Sequence, residues 1–561
     1  MRPLVLTGAD VPALLGADVT APVCYVWSGA SWSGCPLQID ERDWLDPAIA
    51  YPTTISDASE LFGGPLQLLY TEPQDYPHAD FDPIVPVDSD TTFDADDELV
   101  VMLRFFGAKA DLSANPPPYA PPQVSEIEAG GVYAYLFVPT QPLDQAAGYD
   151  LVSYQFNLLA GSFPSQYNFE GSTSLQNTVG DYLAANPEYS VVETNHYRSS
   201  FEDRWIQREL ALAEVSSARR GAGASVTYGT DLLDRVKFGA RPYQLGSNHD
   251  CSRSIYSASA RRGTLGVQKD GPVRALRYAQ GFNSGGHNYV LYEMYEQYIV
   301  YRMAHQMHRT PGATMFFDYA PAVSGMTYYS NLLSGGVTID GQPDLPTGDF
   351  IQPAYLEWDY LLGTQGSLVS VWESDSNISG LTPRSYFEDN ASPEVGQCTG
   401  DATAYGSTGN VYYAGTDEDG YMPWTDPTDP RSFDGGTLRY LRLVRKLALD
   451  GATRTATEAQ TLRDSLAAAP TSTVSLVSVG TGNYPQAVLD LRGSTLADNG
   501  VADLDRFGTW PDLSPNTLDA TATKPKRWPL LRDPVAPLAD QPAVFFNTKT
   551  FLTLPASDSL I

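Results

Sequence analysis

Lysine is almost missing from this chain of 561 residues, which carries 7 Lys beside 28 Arg, 6 His and 4 Cys. Each scarcity excludes something. Without a C-x-x-C pair there is no basis for a thioredoxin-like redox site or a zinc ribbon. No G-x-S-x-G elbow, P-loop, G-x-G-x-x-G after a strand, or H-E-x-x-H occurs, which sets aside the common hydrolase, nucleotide and metalloprotease readings; no nucleotide cofactor is expected. No stretch approaches the roughly 18 consecutive apolar residues of a spanning helix, so no membrane span is expected. The opening Met1-Arg-Pro-Leu-Val-Leu-Thr-Gly-Ala-Asp10 lacks the apolar core of a signal peptide. The expected location is nevertheless secreted or cell-surface, with the signal absent from this sequence.

What is abundant is acid. With 35 Lys+Arg against 67 Asp+Glu the net charge is −32, which repels phosphate backbones and anionic lipid and argues against nucleic acid as a partner. Aromatics at 11% and hydrophobic residues at 42% are ample for packed cores, so the chain is not of the disordered class. At about 150 residues per domain the length suggests roughly three to four domains.

Asp outnumbers Glu by 47 to 20, and Gly (47) and Pro (42) are frequent. This describes many turns between strands and few surface helices. The expected fold is mainly β, a multi-sheet antiparallel β-sandwich of supersandwich type with an N-terminal β domain and a short helical hairpin near the C-terminus. Along the chain we expect a β-rich unit over 1–112 and a connector over 113–123 with five prolines in ten residues at 113–122. A large sandwich follows over 124–435, then a helical hairpin over 436–470 and a β pair with an irregular strap over 471–561. The strap's Val544-Phe-Phe546 and Phe551-Leu-Thr-Leu554 suggest that it docks. The strands of the sandwich are read at Gly131–Val138, Leu151–Leu158, Val273–Tyr278, Ala313–Tyr319 and Ser367–Trp372. Phe201–Ala213 fits either a helix or a long strand. In 436–470, Leu438, Leu441, Val444 and Leu447 recur at helical spacing, and Thr455-Ala-Thr-Glu458 is a capping box for a second helix that Pro470 closes.

Four cysteines read as two disulfides in an oxidising compartment, or alternatively as four buried thiols. Cys24 and Cys35 flank alternating residues around Ser28-Gly29, so a hairpin would set them opposite each other; Cys251 with Cys398 follows by elimination. Two carboxylate groups stand out, Asp88, Asp90, Asp94, Asp96, Asp97 and Glu98 in one and Asp417, Glu418, Asp419, Asp426, Asp429 and Asp434 in the other. Loop-borne acids this close suit calcium, whose six to eight oxygen ligands come from flexible loops. Structural Ca2+ is therefore expected, with Asp88, Asp90, Asp94, Asp96, Asp417, Asp419 and Asp426 as ligands; an Asp-rich solvated turn, written by genome composition or salt adaptation, accounts for the same residues.

His305-Gln-Met-His308 is the only close histidine pair, and the strand formers before it favour a strand, on which the two would oppose each other. Tyrosines recur every third residue at Tyr289, Tyr292, Tyr295, Tyr298 and Tyr301. Exposed rings beside His287, Glu293 and Arg302 would form a sugar-binding surface; rings turned inward would be core. We take Tyr289, Tyr292, Tyr295 and Tyr298 as candidate ligand-binding residues and His287, Tyr301, Arg302 and His305 as candidate catalytic residues.

Gly271-Pro-Val-Arg-Ala-Leu-Arg277, followed by an aromatic strand pair, resembles a run recurring in galactose-mutarotase-like β-sandwich proteins, rhamnogalacturonan-lyase-like families among them. Pro36-Leu-Gln-Ile-Asp-Glu-Arg42 followed by Phe93-Asp-Ala-Asp-Asp-Glu-Leu-Val-Val101 is similar to a pattern in large secreted bacterial proteins. The first resemblance implies a supersandwich over 124–435, with β-elimination or sugar binding on its concave face. Lyases of that kind abstract a proton α to a uronate carboxylate with Tyr, His, Arg or Lys, but none of their motifs aligns here, and no residue role is carried over. A charge of −32 suits a neutral glycan better than a uronate, unless arginines such as Arg274 with Arg277, or Arg261 with Arg262, offset it. Two functions are therefore expected: a carbohydrate-binding or carbohydrate-active extracellular sandwich, or a surface-layer or filament protein that self-assembles through its Pro/Asp-rich tail. The partner is a glycan or another copy of the chain.

Overall fold

The computed structural model describes residues 2–45, 67–71, 92–141, 151–157, 189–203, 206–214, 226–239, 264–280, 289–306, 312–344, 351–352, 354–376, 381–392, 403–413 and 440–479, with short strands between 509 and 545. Contacts divide the chain into two compact units, Met1–Val479 and Gly480–Ile561. The described residues of the second are two short antiparallel pairs, Thr509–Trp510 with Ala520–Thr521 and Leu530–Arg532 with Ala543–Phe545.

The first unit is mainly β and antiparallel throughout. Its largest element is a nine-stranded sheet in the order Thr264–Asp270, Arg274–Gln280, Tyr289–Tyr295, Tyr298–Gln306, Tyr440–Asp450, Gly366–Ser376, Trp358–Gly363, Thr327–Ser330 and Val337–Thr338. The residues alternate between its two sides, as the strand period of two requires. On one side Tyr292, Tyr301 and Leu447 enter a core shared with two five-stranded sheets. Those sheets contribute Phe201 and Leu210 from Ser190–Ala213 and Phe316 and Phe317 from Gly312–Tyr319. On the other side, the helix Ala456–Ala467 covers one end through Ala459 and Leu466 packed with Val369, Val371 and Tyr360. Leu69 from a short antiparallel strand pair, Arg42–Leu45 with Gln67–Tyr70, covers the opposite end, against Leu276, Tyr278 and Leu291.

The N-terminal strands complete the unit. Pro3–Thr7, Glu98–Met102 and Leu37–Asp40 form one small sheet; Thr473–Ser478, Gln123–Ala129, Val132–Phe137, Val23–Trp27 and Trp32–Cys35 form another. Cys24 and Cys35 are directly opposed in the latter and form a disulfide with a Cα–Cα separation of 5.1 Å, as the alternation around Ser28-Gly29 requires. Cys251 and Cys398 lie outside the described residues.

Two expectations resolve differently. The helical hairpin is one helix preceded by a strand: Tyr440–Asp450 is the fifth strand of the large sheet, and Leu441, Leu443, Leu447 and Leu449 are buried in it, with Arg445 and Ala448. The i, i+3 recurrence of Leu441, Val444 and Leu447 is coincidental to a leucine alternation of period two, which pairs this segment with strands on both sides. The second half is helical as read, opened by Thr455, whose side chain accepts from the Glu458 amide. Phe201–Ala213 holds the end of one strand and the whole of Ile206–Ala213, and is not helical.

A buried ion network and the open sheet face beside it

The two runs singled out by resemblance meet in space. Gln38 Oε1 accepts from the amides of Val273 (3.0 Å) and Arg274 (2.9 Å), so the start of one sheet strand is held by a side chain from the N-terminal strand Leu37–Asp40. Gly271 permits this approach, because a Cβ there would stand 2.3 Å from Gln38 Oε1. Arg274, 1% exposed, donates from Nε (2.9 Å) and Nη2 (2.6 Å) to Asp40 Oδ2 and from Nη1 to the Tyr295 hydroxyl at 3.0 Å. Glu98 accepts from Arg274 and, at 2.6 Å, from Arg42. Lys269 reaches Asp40 at 2.8 Å. A buried charge of either sign is costly alone, and each here has an opposite partner with hydrogen-bonding geometry.

Burial by itself would raise the Asp40 carboxyl, but Lys269 and Arg274 hold it down to about 2. Glu293 is lowered in the same way, burial being outweighed by Arg302 and then Arg274. The network therefore runs from the N-terminal strands through Arg274 and Glu293 to Arg302, whose side chain is 41% exposed and reaches the surface.

Arg302 emerges on the part of the sheet that lies between the helix and the strand pair that carries Leu69. The register there sets Tyr289, Ala304, Arg442 and Asp375 in one cross-strand row and Leu291, Arg302, Val444 and Glu373 in the next. Arg442 and Asp375 are exposed, and Tyr289, Val444, Lys446 and Tyr440 are half-buried. Tyr440 donates to Asp375 at 2.9 Å while the Arg442 guanidinium lies 4.4 Å from its ring centroid, and Lys446 pairs with Glu373. Trp358, also half-buried, stacks on Tyr360 beneath Arg463 of the helix.

The tyrosine ladder is divided between the two sides of the sheet. Tyr292 and Tyr301 are directly opposed in register, fully buried, and stacked edge-on with each other and with Phe201 and Phe317. Tyr295 and Tyr298 pair on the other side, Tyr295 buried in the ion network and Tyr298 half-buried. Burial pushes the phenols of Tyr289, Tyr295, Tyr298 and Tyr301 upward. Their rings are thus largely core rather than an exposed row, because one side of these strands is covered by the two five-stranded sheets and the other is covered in part, leaving Arg302 at the surface. Tyr301 and Arg302, being neighbours on a strand, project to opposite sides and do not share a site.

His305 lies in the strand Tyr298–Gln306 opposite Leu441; His287 and His308 lie outside the described residues. Asp88, Asp90, Asp417, Asp419 and Asp426 do as well. Asp94 and Asp96 belong to a hydrogen-bonded turn in which Asp94 Oδ1 accepts from the Asp96 amide (3.1 Å) and Asp97 Oδ2 from the Asp94 amide (2.9 Å). Burial, reinforced by Asp94, raises Asp96 to about 6. Among the described residues no three of His, Cys, Asp and Glu form a group that could hold a metal ion, and none of the described helices is long and apolar enough to cross a membrane.

The residues that sequence reasoning missed are Asp375, Tyr440, Arg442 and Lys446. Their signal was the alternation of charged side chains with leucine along 440–450, obscured by the helical reading of that segment. Comparison with protein families finds no matching family model, and comparison with curated proteins finds no match.

Proposed function

We propose that the chain is a glycan-binding β-sandwich protein whose ligand lies on the open part of the nine-stranded sheet, across Tyr289, Arg302, Arg442, Asp375 and Tyr440. The observation that carries this reading is the juxtaposition of guanidinium and carboxylate groups with partly exposed rings on adjacent strands. Sugar hydroxyls take paired donors and acceptors, and pyranose C–H faces take aromatic rings. Four strands about 4.8 Å apart give the surface a width of about 15 Å, the scale of a short oligosaccharide. The charge of −32 favours a neutral glycan. Binding fits better than turnover, because Tyr295 and Tyr301 are buried and burial holds their phenols protonated. The Cys24–Cys35 disulfide supports an oxidising, extracytoplasmic location.

A glycan array followed by calorimetry on the best ligand tests the reading. Arg442→Ala and Tyr440→Ala should each weaken binding about tenfold, equivalent to about 1.4 kcal/mol, in protein that circular dichroism shows to be folded at the assay temperature. Absence of binding to neutral and acidic glycans alike would remove the function; binding unaltered by both substitutions would remove the site.

A further inference from the structure

The strand Thr473–Ser478 is the outer strand of its five-stranded sheet, paired only with Gln123–Ala129 among the described strands. Its register runs through six consecutive residue pairs without a shift, so no bulge bends the edge away. The sequence Thr-Val-Ser-Leu-Val-Ser holds no charge and no proline. Natural edges are ordinarily guarded by one of these devices, because an open row of N–H and C=O groups templates another strand. Lysine, the usual guard, is nearly absent from the whole chain. Val474 packs against the N-terminal core, yet Leu476, two residues on and therefore on the same side of the sheet, is 54% exposed.

We propose that this edge pairs with the same edge of a second copy, antiparallel, about a two-fold axis through Ser475. A two-fold normal to the sheet requires directly opposed residues to share a side, so their numbers must have the same parity. Centring on Ser475 satisfies this and sets Ser475 against the partner copy's equivalent serine, and Val474 against its equivalent of Leu476. Each exposed leucine is thereby covered by a valine that already packs on a core, and a hydroxyl pair sits on the axis. In a chain of charge −32, an edge strand that itself carries no charge adds no acidic side chain to the contact between two copies. Six residues from each copy bury less than the roughly 1,200 Å² of a stable interface, so the association is weak and reversible.

The test uses the full chain in sedimentation equilibrium from about 5 μM to about 500 μM, where a dissociation constant of about 40 μM would be resolved. A monomer–dimer equilibrium is expected, with Leu476→Lys at least tenfold weaker. Ser475→Cys should form an oxidant-dependent covalent dimer faster than Ser478→Cys, since only residue 475 meets itself across the axis. Should Leu476→Lys impair folding, as a circular dichroism melt would reveal, the cysteine pair still decides. A monomer throughout the range, association unchanged by Leu476→Lys, or equal cross-linking at 475 and 478 would overturn the proposal.

Discussion

Tyr197 and Tyr295 are both buried, at 0% and 1% exposure, yet their hydroxyls meet different surroundings. That of Tyr295 accepts from Arg274 at 3.0 Å and faces Glu293 Oε2 at 3.3 Å, whereas that of Tyr197 meets no hydrogen-bond partner among the described residues. Removing one partner of a buried charged group leaves the other unsatisfied, at a cost of about 1.5–3 kcal/mol; removing a hydroxyl already unsatisfied costs nothing of that kind. Tyr295→Phe should therefore lower the urea unfolding free energy by about 2 kcal/mol, and Tyr197→Phe should leave it equal or slightly higher. Equal losses in both variants would mean that the hydrogen bonds to Arg274 and Glu293 contribute little beyond ring packing.

At the scale of elements, the helix Ala456–Ala467 carries the clearest sequence signal in the fold. Thr455 and Glu458 satisfy each other's backbone amides at its start, with Thr455 N donating to Glu458 Oε2 at 2.8 Å. Thr455→Ala should cost about 1 kcal/mol in a thermal or denaturant melt, and Glu458→Gln, which keeps an acceptor, about half of that. The reverse order would show that the charge of Glu458, not its reach, fixes the helix start. The same cap was legible in the sequence because its partners are three residues apart, and the Cys24–Cys35 hairpin was legible because a turn signal lies midway between them. The strand Tyr440–Asp450 was not. Its leucines fit two periods, and only its neighbours on both sides, Tyr298–Gln306 and Gly366–Ser376, decide between them. The fate of the tyrosine ladder depended likewise on which strands are central, which no local spacing encodes. Arg274 and Asp40 stood in the two runs marked by resemblance, but they are 234 residues apart, and nothing in either run announces the other.

At the scale of the whole molecule, the acids pull stability in opposite directions as pH changes. Burial raises Asp231 and Asp389 to about 6, so the folded chain holds their protons more tightly than the unfolded chain. Their contribution grows as pH falls through 6 towards the ordinary carboxylate value and is absent above about 6. Asp40, held at about 2 by Lys269 and Arg274 against burial, and Glu293, lowered by Arg302 and Arg274 against burial, behave oppositely. What they contribute is complete above the ordinary carboxylate range and is lost as pH falls below it, for Asp40 towards about 2. Repulsion among the 67 acids adds to the first trend, because protonation relieves it, and salt screens it. The melting temperature should therefore rise from pH 8 to about 5, pass through a maximum near pH 4–5, and fall steeply below pH 4. Added sodium chloride should raise the pH 8 end more than the pH 5 end. Asp389→Asn, which removes one of the raised groups, should flatten the rise between pH 5 and 7 while leaving the acid limb in place. Melting curves by circular dichroism across this range check all three parts, and a melting temperature that climbed steadily from pH 5 to 8 would mean that neither the raised carboxyls of Asp231 and Asp389 nor repulsion among the acids governs stability there, since the contribution of the ion network is already complete above the ordinary carboxylate range.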